Sequence, residues 1–145
     1  MYNSISLPKK ALAAVDHLAT PTNVKDIMRF LGLVGFYRRF IKGFAEIAEP
    51  LTRLTKNIAA FEWLPDQQRA FITLKEQLLA KPILLLPIHA NQPAFRPFTL
   101  ETYASDVAIA AVLMQDDSDG IAHPRLFASR QLSKSEKNYS VSDRE

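Results

Sequence analysis

Few side chains in this 145-residue sequence are of types that do chemistry, and their spacing limits which chemistry is available. The carboxylates Glu101, Asp106, Asp116, Asp117 and Asp119 gather in and just after the stretch FTLETYASDVAIAAVLMQ, from Phe98 to Gln115. The cluster Asp116, Asp117 and Asp119 could hold a cation loosely, although a hairpin tip of this kind is ordinarily just solvated. Where the two halves of that stretch meet, the sequence is Tyr103-Ala104-Ser105-Asp106, so whatever the turn could do depends on a carboxylate and position 103 holds a phenol. His17, His89 and His123 are scattered without ligand spacing, and the absence of cysteine removes disulfides, thiolate metal sites and a Cys nucleophile. The other charged set is basic: Lys25 with Arg29 and Arg38 with Lys42 are i,i+4 pairs.

The charge is divided along the chain. Residues 1–60 carry nine Lys and Arg against four Asp and Glu, whereas residues 96–131 carry three against five. A basic front of this kind suits contact with phosphate, and solvated helix faces look the same. A 48% apolar composition is enough for a core, no apolar run approaches the ~20 residues that cross a bilayer, and MYNSISLPKK has no apolar stretch behind its lysines.

The elements that must position these residues follow from periodicity. Residues 1–20 are weakly patterned. Thr22 is placed to cap a helix whose apolar residues Ile27, Phe30, Leu31, Val34, Tyr37 and Ile41 form one stripe, with a bend or break near Gly35. Gly43 ends that run, and Pro50 is expected to interrupt the next stripe and to start a new helix at its first position. Asp66 to Ala80 is the clearest helix, with Trp63 as a core anchor before it. Ile83 to Ile88 reads as an edge strand or an extended connector, and His89 to Pro97 as a loop. Phe98 to Tyr103 alternates like a half-buried strand, Val107 to Met114 reads as a buried strand, and Arg125 to Gln131 as a third strand beyond the Asp116–Gly120 turn. Ser133 to Asn138 reads as a polar loop, followed by a helix beginning at Ser140. The fold class is therefore α+β, a small helical bundle followed by a three-stranded antiparallel meander.

Several collinear motifs now carry a resemblance. They are TNVKDIMRFLGLVGFYRRFI from Thr22 to Ile41, Ala48-Glu49-Pro50-Leu51-Thr52, Phe61-Glu62-Trp63, Ala70-Phe71, Leu74-Lys75, Leu100 to Leu113, and Ala128 to Ser140. In this order and spacing the chain, from about Leu7 onward, resembles the pol polyprotein of Ty3/gypsy-type LTR retrotransposons, from the segment after the polymerase palm into the RNase H-like domain. The resemblance implies a thumb- or connection-like helical region over 1–82, a connector over 83–97, and an incomplete RNase H-like domain over 98–145. It makes Lys25, Arg29, Arg38, Arg39 and Lys42 candidates for phosphate contact with an RNA:DNA hybrid or duplex, and the remainder of the polyprotein a partner, with no membrane.

Ribonuclease H chemistry uses carboxylates around two Mg²⁺ ions. The first family carboxylate is the Asp of a Thr-Asp-Ala-Ser run, which here reads Thr102-Tyr103-Ala104-Ser105. A phenol with a pKa near ~10 is a poor Mg²⁺ ligand. Glu145 matches the second carboxylate, Asp106 is a weak substitute for the first, and the later ones have no counterpart in the sequence. Mg²⁺ thus enters by resemblance alone, and this chain is expected to hold none. No Tyr-x-Asp-Asp polymerase hairpin is present. Ala110 stands where the family has Gly, and Leu64 where it has a Thr or Ser cap, a loss of ~1 kcal/mol unless Asp66 takes over. The first strand should be an open edge, prone to self-association. The expectation is a truncated fragment, inactive alone, in the cytoplasm or nucleus. One rival reading is part of an active reverse transcriptase and RNase H in a longer chain; another is a retained module that binds nucleic acid or protein.

Overall fold

The computed structural model of the protein describes residues 4–56, 60–80 and 83–138. The chain runs β1 (Ser4–Ser6), α1 (Lys9–Asp16), α2 (Val24–Phe36), α3 (Phe44–Lys56), α4 (Pro65–Leu79), β2 (Ile83–Leu85), β3 (Phe98–Ala104), β4 (Ala108–Asp116) and β5 (Ala122–Gln131). Short 3-10 turns lie at Arg38–Phe40 and Glu136–Asn138, the second within the expected polar loop. The α+β expectation holds, with the antiparallel order β3-β4-β5 following the helices. Glu145 and the helix expected from Ser140 fall outside the described residues.

Local chemistry explains most helix ends, and it moves several of them. Asn23, not Thr22, caps α2: its side chain accepts from the Asp26 amide at 2.9 Å, while the Asp26 carboxylate accepts from the Thr22 amide at 3.2 Å. That backbone bond from Thr22 is the main reason the Asp26 carboxyl lies below its ordinary range. The break expected near Gly35 is present: α2 stops at Phe36, so the apolar stripe does not continue as one helix to Ile41. Phe40 and Ile41 are still buried, but from the 3-10 turn and the residue after it, and Gly43 at φ +67° redirects the chain into α3.

Pro50 does not start a new helix. It lies inside α3, which is continuous from Phe44 to Lys56. Pro50 has no N–H for the Glu46 carbonyl, but Glu46 is exposed and water can satisfy that group. Burial of Ala48, Leu51 and Leu54 against the neighbouring helices outweighs the lost bond. At α4, Asp66 does not replace the missing cap; it pairs with Arg69 at 3.2 Å. Gln67 satisfies a different group: its Oε1 accepts from the amide of the cap residue Leu64 at 3.1 Å, and its Nε2 donates to the Pro50 carbonyl at 3.3 Å, while the first-turn amides gain no side-chain acceptor from Leu64. Residues 1–20 hold more structure than their patterning suggests. Lys9–Asp16 is helical, Lys75 Nζ donates to the carbonyls of Asp16 and Leu18 at 3.2 and 3.1 Å, and β1 pairs with β2. Eight residues are too few for a helix that stands alone, so tertiary contacts decide it.

Phe30, Phe71 and Leu74 sit in one core with Val34, Leu51 and Leu78, and Phe127 of the sheet packs against it. Trp63 stacks with Phe61 and meets the Phe71 ring edge-on at 5.9 Å, as an anchor should. The sheet lies on the start of α3. Ser129 Oγ accepts from the Ala45 amide at 2.9 Å, and Gln131 Nε2 donates to the Ala45 carbonyl at 3.4 Å. Cross-strand register then places Ser129, Ala110 and Tyr103 in one row on that face.

The other face carries the row Leu100, Leu113 and Leu126, and beside it a hollow of about 230 Å³ over Thr102, Ala111 and Ala128. β3 is not half-buried. Every residue from Phe98 to Tyr103 is exposed, Leu100 to 64%, because β3 is an edge of this sheet. The β3–β4 turn is Ser105–Val107 rather than Tyr103–Asp106, closed by Ser105 Oγ accepting from the Ala108 amide at 3.2 Å.

Two buried polar side chains tie the loops down. Gln115 accepts from the Ile88 amide at 2.9 Å and donates to the carbonyls of Ile88 and Arg96 at 2.9 and 2.7 Å, fastening the connector to β4. Asp117 turns inward rather than into solvent. Its Oδ1 accepts from the amides of Asp119 and Ile121, both at 2.9 Å, and its Oδ2 lies 2.8 Å from His123 Nε2. The Ile121 amide is the largest cause of the lowered Asp117 pKa, and the His123 bond the next.

Ser129→Ala should remove the cap of α3 and cost on the order of 1 kcal/mol, read as a lower urea midpoint. A second test concerns acid. Because the folded Asp117 carboxyl titrates below its unfolded value of about 3.9, its contribution is complete above that pH and is lost as pH falls through the folded value. Asp117→Asn should therefore lower stability at neutral pH and flatten the acid limb below about pH 4 in a pH-dependent melting series.

Candidate functional site

The basic candidates fall on two separate features. Lys25 and Arg29 lie on the outer face of α2, at the spacing that also brings Met28, Gly32 and Phe36 to the surface. Met28 is 61% exposed and Phe36 78%, so this face presents two large apolar side chains to solvent. Arg29 makes only a loose pair with Asp26, at 3.9 Å. A Cβ built on Gly32 would meet nothing within 4 Å, so nothing in the described chain demands a glycine there. Gly32 nevertheless carries the ~1 kcal/mol cost of glycine within a helix. Sequence reading missed Met28 and Phe36 as site candidates. The signal that could have found them is their i, i+4, i+8 relation through Gly32, off the buried stripe.

Arg38, Arg39 and Lys42 follow α2 and have taken up different contacts. Arg38 donates to the Ser129 carbonyl at 2.5 Å and lies over the Phe44 ring, so it joins the helices to the sheet. Arg39 lies over Phe40, 5.2 Å from the ring centroid. Lys42 Nζ sits 5.1 Å from the centroid of the Tyr103 ring. Tyr103, 44% exposed, donates its O–H to Glu101 at 2.7 Å, and that bond pushes the phenol above its ordinary pKa. Asp106 lies in the turn beyond the strand, exposed, while Tyr103 is within β3 opposite Ala110.

Among the described residues this donor set does not fit a hard divalent cation: position 103 offers a neutral phenol, Glu101 already accepts its hydrogen bond, and a lysine stands over the ring. Among the described residues no group of three or more His, Asp or Glu side chains lies together as metal ligands would. Among them, too, no helix is long and apolar enough to cross a membrane.

Residues 63–145 match the family described as the RNase H-like domain found in reverse transcriptase. The chain is 38% identical over 149 aligned residues to the retrovirus-related Pol polyprotein from transposon opus of Drosophila melanogaster, spanning 99% of this chain and 15% of that protein. It is 37% identical over 125 residues to the transposon Tf2-3 polyprotein of Schizosaccharomyces pombe, 86% of this chain and 9% of the relative. Among solved structures, the foamy viral protease-reverse transcriptase in complex with dsDNA superposes with a TM-score of 0.73 at 20% identity, covering 94% of this chain and 28% of that one. The same enzyme in complex with RNA/DNA hybrid gives 0.73 at 19% identity, covering 95% and 18%. The fold is thus shared with these reverse transcriptases, and the chain spans less than a sixth of the curated relatives' length. With more than half of its length inside the family match, this chain belongs to the RNase H-like domains found in reverse transcriptases, and it corresponds to part of an LTR retrotransposon Pol polyprotein.

Proposed function

We propose that the chain is a non-cleaving segment of a reverse transcriptase and RNase H polyprotein, and that its helical half lies along a nucleic-acid duplex. The outer face of α2 carries the proposal. Two exposed apolar side chains, Met28 and Phe36, flank a glycine with no internal packing role, and Lys25 and Arg29 stand beside them. Such a face can bring its backbone close to a groove at Gly32, lay apolar surface on sugars, and reach phosphates with its cations. Binding of this kind does not read sequence. The similar solved structures are complexes with dsDNA and with RNA/DNA hybrid, which supports this partner class.

The same reading assigns 1–82 as the thumb- or connection-like part, 83–97 as connector and 98–145 as the RNase H-like part. Lys25, Arg29 and Arg39 are its phosphate contacts. Arg38 serves the helix–sheet junction, since its guanidinium already bonds the Ser129 carbonyl. Cleavage is not assigned to this chain, because the corner at Tyr103 and Lys42 lacks the ligand chemistry of a Mg²⁺ site. Its natural partner is the rest of the polyprotein, where RNA-directed DNA polymerase activity would reside.

Fluorescence anisotropy with an RNA:DNA hybrid tests the interface. Affinity should fall steeply with salt, and Lys25→Gln or Arg29→Gln should each reduce the log–log slope by about 0.9. Gly32→Leu should weaken binding at least tenfold while raising helix stability, a pairing of opposite signs that a purely structural glycine would not produce. A flat salt dependence, or unaltered binding by Gly32→Leu, would reject the interface. Mg²⁺-dependent cleavage of the hybrid by the unmodified chain would reject the non-cleaving assignment.

A further inference from the structure

Gln115 holds both ends of one surface loop. Its side chain, only 1% exposed, accepts from the Ile88 amide at 2.9 Å and donates to the carbonyls of Ile88 and Arg96 at 2.9 and 2.7 Å. Between these anchors every residue from His89 to Ala94 is exposed, the longest such run outside helices and strands among the described residues. The run turns on itself: the Gln92 amide donates to the His89 carbonyl at 2.9 Å, and the Phe95 amide to the Gln92 carbonyl at 3.0 Å. Local bonds of this kind open without disturbing the rest of a fold, and exposed loop tips of small and polar residues are where endoproteases nick folded chains. His-Ala-Asn-Gln-Pro-Ala is such a tip.

We propose that His89–Ala94 is a processing site: an endoprotease that divides the chain there converts it into two polypeptides that stay together as one folded molecule. The step is hydrolysis, in which water adds across one peptide bond and leaves a carboxylate on the helical piece and an ammonium on the sheet piece. Both new ends lie in solvent, so neither charge is buried by the cut. What joins the pieces lies outside the loop. Ile88 and Arg96 then belong to different chains, yet both remain bonded to the same glutamine side chain. Arg125 of β5 still donates to the Leu86 carbonyl at 3.1 Å, Ser129 still accepts from the Ala45 amide, and Phe127 still packs on the helical core. This inference stands apart from duplex binding and adds a divisible joint between the two parts.

The test exposes the full 145-residue chain to a trace of subtilisin, maps the cuts by mass spectrometry and passes the product through a sizing column. Apart from trimming at the two ends, which folded chains commonly show, the first cut should fall within residues 89–94. The two pieces should elute together at the volume of the uncut chain and separate only in guanidinium chloride. Gln115→Ala should speed the cut by about tenfold, because it frees both ends of the loop and so raises the population of its open form. Gln115→Asn, too short to span both ends, replaces it if circular dichroism shows that the alanine variant has lost its fold. A first internal cut elsewhere, no internal cut, pieces that elute apart, or an unchanged rate in the glutamine variant would each overturn the inference.

Discussion

The first turn of a helix leaves amide groups without partners, and in α3 one of them is satisfied from another part of the chain. Gly43 precedes the helix and has no side chain to cap it, so the Ala45 amide takes the hydroxyl of Ser129, 84 residues away. The carbonyl of the same serine receives Arg38. Through one residue the sheet thus completes a helix and orders the basic turn before it. Phe127, two residues earlier on the same face, then enters the helical core. Sheet and bundle fold onto a shared interior, and the position of Lys42 over Tyr103 is a product of that docking.

This junction changes the meaning of the basic residues. Sequence spacing presents Arg38 and Lys42 as a pair much like Lys25 and Arg29, yet the first pair faces the sheet and the second faces outward. What separates them is the end of α2 at Phe36, beyond which the helical spacing no longer applies. The apolar members of the outer face were hidden for a related reason. Met28 and Phe36 are apolar like Ile27, Phe30 and Val34 of the same helix, and in the sequence only their offset from the buried stripe sets them apart.

Much of the architecture was legible. Strand alternation placed β3, a near-continuous apolar run placed β4, the glycine turn placed the hairpin before β5, and the clean stripe of Ala70, Phe71, Leu74 and Leu78 placed α4. Collinear motifs placed the whole in its family, and the missing carboxylate at position 103 was visible at once. The misses share one cause. A helix through Pro50, a short α1 clasped by Lys75, and β3 open on both faces are each decided by partners remote in sequence, against or beyond local preference. Lys42 belongs with them, since no periodicity could bring it to residue 103.

Gln67 shows how little the joint between α3 and α4 has to specify. Its amide reads the Leu64 amide on its own helix and the Pro50 carbonyl on the other, so the two helices are aligned by a bond that bypasses the residues joining them. Phe61 and Trp63 of the joining stretch keep their own contacts with the core, so any lengthening concerns the part before Phe61. Lengthening it would change the free energy mainly through loop-closure entropy, which grows by only about 0.6 kcal/mol for each doubling of length. An insertion ahead of Phe61 would thus leave the face that α2 presents where it is.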